Sequence, residues 1–118
     1  MLAEGLKIAD IDGRHEDDWC QPRVSGRIIA TQPGTVFVVR CWTPEDPMAP
    51  SSFITMTLDR ERTFRFLVPS GTVHECRADV VAEEGTEISF EIVCTNRPVQ
   101  EAGDIRELSF VLPSMALS

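Results

Sequence analysis

The residues with the clearest chemical potential lie near the C-terminus, in the segment Gly103-Asp104-Ile105-Arg106. In an extended segment, residues two apart face the same side, so Asp104 and Arg106 can point together. Arg97 lies earlier in the same long connection, 95–106. Two guanidinium groups and a carboxylate could bind the hydroxyl groups of a ligand. Alternatively, the Asp104 carboxylate could accept hydrogen bonds from backbone N–H groups and so fix the connection to the body of the protein. Arg106 could then reach across to another strand.

A tryptophan at the end of an apolar segment is a second candidate. Trp42 closes the run Thr35 to Trp42 and is followed by Thr-Pro-Glu-Asp-Pro. An indole ring at a strand end can stack on the C–H-rich face of a sugar, or it can pack into a core. Both interpretations stay open for Trp42, whereas Trp19 is expected in the core. The predicted ligand-binding residues are therefore Trp42, Arg97, Asp104 and Arg106.

Enzyme chemistry has little support. The chain has two histidines, His15 and His74, no tyrosine and no G-x-S-x-G segment. A metal-dependent oxygenase would need more histidines, and a hydrolytic triad would need a supported nucleophile. We therefore expect no catalytic residue, cofactor or metal. A carboxylate-based carbohydrate-active enzyme is the remaining enzymatic alternative, because 19 acidic residues can supply a pair.

The acidic run at positions 10–18 begins like a calcium loop, with Asp10-Ile11-Asp12-Gly13. The EF-hand register fails, because its fifth and sixth positions hold Arg14 and His15. Two readings remain, a calcium site of another type and a solvated loop.

Charge and hydropathy exclude several partners. The net charge is -8 and the only lysine is Lys7, so a nucleic-acid surface is not expected, and an anionic membrane surface is disfavoured. No apolar stretch approaches the roughly 20 residues of a membrane span, and the N-terminus lacks the features of a secretory signal. We expect a cytoplasmic protein or one module of a longer chain. The four cysteines form no C-x-x-C pair and are expected as buried thiols.

Alternation of apolar and polar residues predicts the fold. In Glu87–Cys94, every second residue is apolar, which is typical of a half-buried strand, whereas 35–42 is apolar on both faces and predicts a central strand. The first 20 residues are less regular and are expected to lie across the body. Turn signals separate about eight predicted strands, at 5–11, 23–31, 35–42, 52–58, 62–68, 72–82, 86–94 and 107–117. The 118 residues thus predict a single domain, 1–118, as a two-sheet antiparallel β-sandwich with jelly-roll topology.

Several short motifs carry a family resemblance. They are Asp18-Trp19, the strand end Val39-Arg40-Cys41-Trp42-Thr43-Pro44-Glu45, the run Phe53-Ile54-Thr55-Met56-Thr57-Leu58-Asp59, Asn96-Arg97-Pro98, and Gly103-Asp104-Ile105-Arg106-Glu107-Leu108-Ser109. Over roughly residues 5–117 the chain resembles the galactose-binding-like β-sandwich modules appended to bacterial glycosyltransferases and other polysaccharide-assembly proteins. It departs from their pattern at Asp18 and at Ser109, where glycine is common. The resemblance implies a jelly-roll fold and a non-catalytic role, and it assigns no ligand.

These observations together predict a non-catalytic module that binds carbohydrate or assists glycan assembly, with a carbohydrate, a glycosyltransferase or another protein as partner. The alternative is a β-sandwich for protein interaction or oligomerisation, without a sugar ligand.

Overall fold

The computed structural model describes residues 1–95 and 108–118, and the regular elements in these two ranges are β-strands. This confirms the all-β class. The strands are β1 Leu2–Glu4, β2 Leu6–Arg14, β3 Trp19–Ala30, β4 Gly34–Trp42, β5 Ser51–Leu58, β6 Arg62–Pro69, β7 Val73–Ala82, β8 Glu87–Cys94 and β9 Phe110–Leu117. Over the same ranges, no helix is long and apolar enough to cross a bilayer.

Hydrogen bonding joins the nine strands of the described chain into one continuous sheet, with the order β6-β5-β8-β3-β9-β4-β7. β2 pairs with β3, and the short β1 pairs with β9 in parallel, whereas the other pairings are antiparallel. β6 and β7, the first and last strands of this order, lie close together. The Arg62 guanidinium in β6 donates a hydrogen bond to the Asp79 carbonyl in β7. The sheet is therefore nearly barrel-shaped, and the expected division into two separate sheets is not confirmed.

Two prolines mark the places where strands change partners. In β3, Trp19 and Cys20 pair with β9, whereas Arg23 onward pairs with β8, and Pro22 lies between the two sets. In β9, Phe110 and Val111 pair with β3, whereas Ser114 onward pairs with β1, and Pro113 lies between the two sets. Proline has no N–H to donate to a ladder, so it is tolerated where a ladder is interrupted.

The core follows the alternation of the strands. Ile88, Phe90, Ile92 and Cys94 are all buried, as the sequence predicted. β4 is paired on both sides, by β9 and β7, which confirms its prediction as a central strand. All four cysteines are buried free thiols, again as predicted; they are Cys20, Cys41, Cys76 and Cys94.

The N-terminal residues are more regular than expected. They form β1 and β2, which meet at Gly5, a residue with φ of 71°. This left-handed conformation favours glycine. A Cβ at this position would lie 2.1 Å from the Leu117 carbonyl oxygen, so the absence of a side chain lets β1 turn onto β9.

Candidate functional site

Only one of the four predicted ligand-binding residues falls in the described ranges. Trp42 ends β4, whereas Arg97, Asp104 and Arg106 lie outside the described residues. The question of whether Asp104 and Arg106 bind a ligand or fix their connection therefore stays a prediction. The described flanks are Thr95, which follows β8, and Leu108, which lies two residues before β9, the strand that pairs with Trp42 through Val111.

Trp42 lies in a row of apolar side chains that crosses four strands. It pairs with Val111 in β9 and with Val73 in β7, and Val111 also pairs with Trp19 in β3. The neighbouring residues Cys41 and Phe110 point into the core. Because side chains alternate along a strand, the row lies on the outer face of the sheet.

The two tryptophan rings support each other in this row, which we call the tryptophan row (Trp19, Val111, Trp42 and Val73). Their centroids are 5.9 Å apart and their planes meet at 82°, an edge-to-face contact. Both rings are half-buried, and Val73 is 60% exposed. The expectation of a core position for Trp19 is wrong, because its pairing with Val111 turns the ring to the outer face.

A polar pair follows the tryptophan row on the same face. Arg40 precedes Trp42 by two residues in β4 and pairs directly with Glu75 in β7. The Arg40 Nη2 lies 2.8 Å from Glu75 Oε1, and both side chains are largely exposed. The pair also lines a hollow of about 280 Å³, together with Ser114 and Arg77, and neither tryptophan contributes to that lining. The face thus combines indole rings with fixed hydrogen-bond donors and acceptors.

Sequence reasoning missed Arg40 and Glu75. Arg40 could have been found, because Val39-Arg40-Cys41-Trp42 in a strand places the arginine and the tryptophan on one face. Glu75 could not, because its position opposite Arg40 depends on the β4–β7 register.

The loop before Trp19 is fixed by a charged cluster. The Asp18 carboxylate accepts hydrogen bonds from the Arg14 guanidinium and contacts the amino group of Met1 at 2.9 Å. Burial of Asp18 opposes its ionisation, but these two cations outweigh burial and lower the pKa of the carboxyl group. Asp18 also has φ of 68°, a left-handed conformation that aspartate tolerates better than most residues do. The carboxylate therefore orients the segment that leads into Trp19.

Three buried polar atoms near this end of the described chain lack a hydrogen-bond partner. They are Arg14 Nε, His15 Nε2 and Thr43 Oγ1. Thr43 follows Trp42 directly and is 0% exposed. An unsatisfied buried polar group costs about 1–3 kcal/mol. Such groups lie more often at functional sites than in parts of a fold that serve stability alone.

The acidic run and the histidines do not assemble a metal centre. Asp10 pairs with Arg27, and Asp18 pairs with Arg14. Over residues 1–95 and 108–118, no group of three or more His, Cys, Asp or Glu side chains could hold a metal ion. His74 is half-buried, on the same face of β7 as the buried Cys76.

Comparison with known proteins gives no further guide to this site, since no family model and no curated protein matches the chain.

Proposed function

We propose that the chain is a non-catalytic carbohydrate-binding module, an accessory of glycan assembly with a galactose-binding-like jelly-roll ancestry. The observation that carries this proposal is the position of Trp42, half-buried beside Trp19 and two residues from the Arg40–Glu75 pair. Trp42 stacks on the C–H face of one sugar ring. Arg40 donates to its hydroxyl groups and Glu75 accepts from them.

The chemistry of the tryptophan row favours a sugar over other small ligands. Sugars have an apolar face of C–H groups and a rim of hydroxyls, which match an indole ring beside a charged pair. The Arg40–Glu75 pair fixes its own geometry, so both partners can hydrogen bond a hydroxyl without a large loss of side-chain freedom. Arg40 and Glu75 are largely exposed, so a sugar bound beside them excludes little water, and affinity for one sugar unit is expected at about 0.1–1 mM.

A glycan array tests the proposal directly. Wild type is expected to bind a coherent set of glycans, and Trp42→Ala is expected to lose them. Arg40→Ala and Glu75→Ala should each weaken binding by about tenfold, because each removes a hydrogen bond to a charged group. Binding of the same glycans by Trp42→Ala would refute the role of this face.

Matched variants separate binding from folding. Val81→Ala removes an apolar side chain that is 90% exposed, in the half of β7 farther from Val73, and Lys7→Ala removes an exposed cation from β2. Both should bind as wild type does. Thermal unfolding of every variant shows whether a lost signal reflects a lost fold.

The alternative, a protein-interaction or oligomerisation module, draws support from a different patch. Phe53 in β5 and Leu67 in β6 are a directly opposed pair on the outer face, 38% and 54% exposed. The Arg65 guanidinium lies 3.8 Å from the centre of the Phe53 ring. Exposed apolar pairs with an arginine beside them are typical of residues that anchor protein interfaces.

Solution mass distinguishes the alternative. If Phe53 and Leu67 hold two copies together, sedimentation should give a concentration-dependent dimer that Leu67→Lys dissociates. If the alternative is wrong, wild type and Leu67→Lys should both sediment as monomers across the same concentrations.

A further inference from the structure

A second concave surface lies on another part of the outer face of the sheet. It is a groove of about 600 Å³, built by β3, β8 and β5 with contributions from β2 and the β5–β6 turn. This volume falls within the range of about 300–1,000 Å³ that is typical of ligand sites. We call it the β3–β8–β5 groove. The tryptophan row does not contribute to its lining.

Alternation places polar side chains of three neighbouring strands in this groove. Ser25 in β3 pairs with Glu91 in β8, which pairs with Thr57 in β5. One step along, Arg27 pairs with Ser89. Their neighbours along the strands face the core, so these side chains form a regular polar lattice on the outer face.

Two of the three arginines that line the groove are already paired with carboxylates. Arg23 binds Glu91, and Arg27 binds both Asp10 and Glu87. The lining holds three arginines, with Arg60 the third, and two carboxylates. The lining therefore has one arginine more than it has carboxylates, and Glu87, which Arg27 also contacts, lies outside the lining.

The two ion pairs determine the class of ligand that fits over them. At Arg23 or Arg27, a carboxylate or phosphate would have to displace Glu91 or Asp10 from its arginine, and the gain would be offset by leaving that acid unpaired. A hydroxyl group can bind without breaking a pair, because it accepts a hydrogen bond from the guanidinium and donates one to the carboxylate of the same intact pair. The hydroxyls of Ser25, Ser89 and Thr57 extend the same pattern.

We infer that the β3–β8–β5 groove is a second binding site, for a neutral, polyhydroxylated chain such as a linear oligosaccharide. Phe90 is the one aromatic residue of the lining and is 3% exposed, so the groove recognises hydroxyl groups and not ring faces. Affinity per sugar unit is therefore weak, and a repeating ligand gains by occupying several pairs in succession. This site goes beyond the proposed function and does not need the tryptophan row.

Amide chemical-shift mapping tests the inference on the whole chain. The probes are soluble linear gluco-, manno- and galacto-oligosaccharides, with oligogalacturonate as the anionic counterpart. At least one neutral probe should shift the amides of Ser25, Thr57 and Ser89 saturably. Arg27→Ala and Glu91→Ala should each weaken that binding by about tenfold.

Two control variants make the result specific. Arg65→Ala removes an arginine from the same face, on β6 and outside the groove lining, and should leave the shifts unchanged. Trp42→Ala should also leave them unchanged. Loss of the groove shifts in Trp42→Ala would overturn the independence of the two sites.

The remaining outcomes separate this inference from the proposed function. If neutral probes shift only residues of the tryptophan row, the groove is not a binding site and the proposed function is supported. If they shift only residues of the groove, the groove is supported and the proposed function is contradicted. A preference of the groove for oligogalacturonate would overturn the neutral ligand class, and no shift at the groove with any neutral probe would overturn the site.

Discussion

The ring of Trp42 meets the ring of Trp19 edge to face, with centroids 5.9 Å apart, although 22 residues separate them in the chain. Val111 brings them together, because it pairs with Trp42 on one side and with Trp19 on the other. One residue of β9 thus aligns two strand ends and creates the outer face on which the proposed function depends.

The charge of Asp18 should make stability depend on acid pH. Its folded-state pKa is lowered below the ordinary value of 3.8, so its contribution is complete above 3.8 and is lost as pH falls through the folded pKa. Asp18→Asn keeps a residue that tolerates a left-handed backbone but removes the charge. We expect it to reduce the free energy of unfolding by about 1 kcal/mol at neutral pH, with a smaller difference below 3.8.

Urea unfolding across a pH series checks this prediction, with Asp79→Asn as the control because Asp79 is exposed. An Asp18→Asn deficit that stayed constant down to the most acidic pH would contradict the role of the ionised carboxylate.

The buried thiols should react only when the chain unfolds. Burial raises the pKa of Cys20 to about 12, and a hydrogen bond with Cys76, together with burial, raises the pKa of Cys41. The same hydrogen bond lowers the pKa of Cys76, so that thiol is protected by its burial alone. Because all four thiols are buried and the exposed thiolate is the reactive form, an aromatic disulfide reagent should label none of them in the native protein and all four in urea. Rapid labelling of any cysteine under native conditions would show that the core opens locally.

Removal of a core ring should have a large effect. Phe37 is 0% exposed and packs with Phe90 at a centroid distance of 6.5 Å. Phe37→Ala should lower the free energy of unfolding by about 3–5 kcal/mol, through lost burial and the cavity left behind. Val81→Ala, at a site 90% exposed, should change it by less than about 0.5 kcal/mol in the same urea titration. Comparable losses for both variants would place Phe37 outside the core.

Two glycines with similar backbones separate conformational strain from a steric clash. Gly5 has φ of 71° and meets the Leu117 carbonyl, whereas Gly85 has φ of 88° and has nothing within 4 Å of an added Cβ. Gly85→Ala should cost about 1 kcal/mol from strain alone. Gly5→Ala should cost more and should speed amide hydrogen exchange in Leu2–Glu4, because β1 detaches from β9. Equal losses, with unchanged exchange in β1, would contradict the close approach.

The strands were largely predictable, since the alternation of apolar and polar side chains that defines them can be read from neighbouring residues. Alternation in Glu87–Cys94 and in Val73–Ala82 identifies the buried face residue by residue, because one face meets the core and the other meets water. β1 was missed, because three residues carry no period and its parallel pairing with β9 is a long-range contact. The continuity of the sheet was missed for a related reason. It depends on β3 changing partners at Pro22, and nothing local to Pro22 identifies the second partner.

The candidate site was predictable only in part. Trp42 was identified from its place at the end of an apolar strand. The support from Trp19 and the proximity of Glu75 arise from registers between strands distant in sequence. Arg97, Asp104 and Arg106 lie outside the described residues, so their part in a site stays a prediction.

Titration calorimetry with the best ligand from a glycan array tests the central claim most directly, by comparing wild type, Trp42→Phe and Trp42→Ala. The stacking role of Trp42 predicts that affinity falls in the order wild type, Trp42→Phe, Trp42→Ala. The loss for Trp42→Ala should be about tenfold, since an aromatic contact contributes roughly 0.5–1.5 kcal/mol beyond the burial of its area. The fold should be retained in all three by thermal unfolding. Equal affinity of wild type and Trp42→Ala for that glycan would contradict the proposal that this outer face binds carbohydrate.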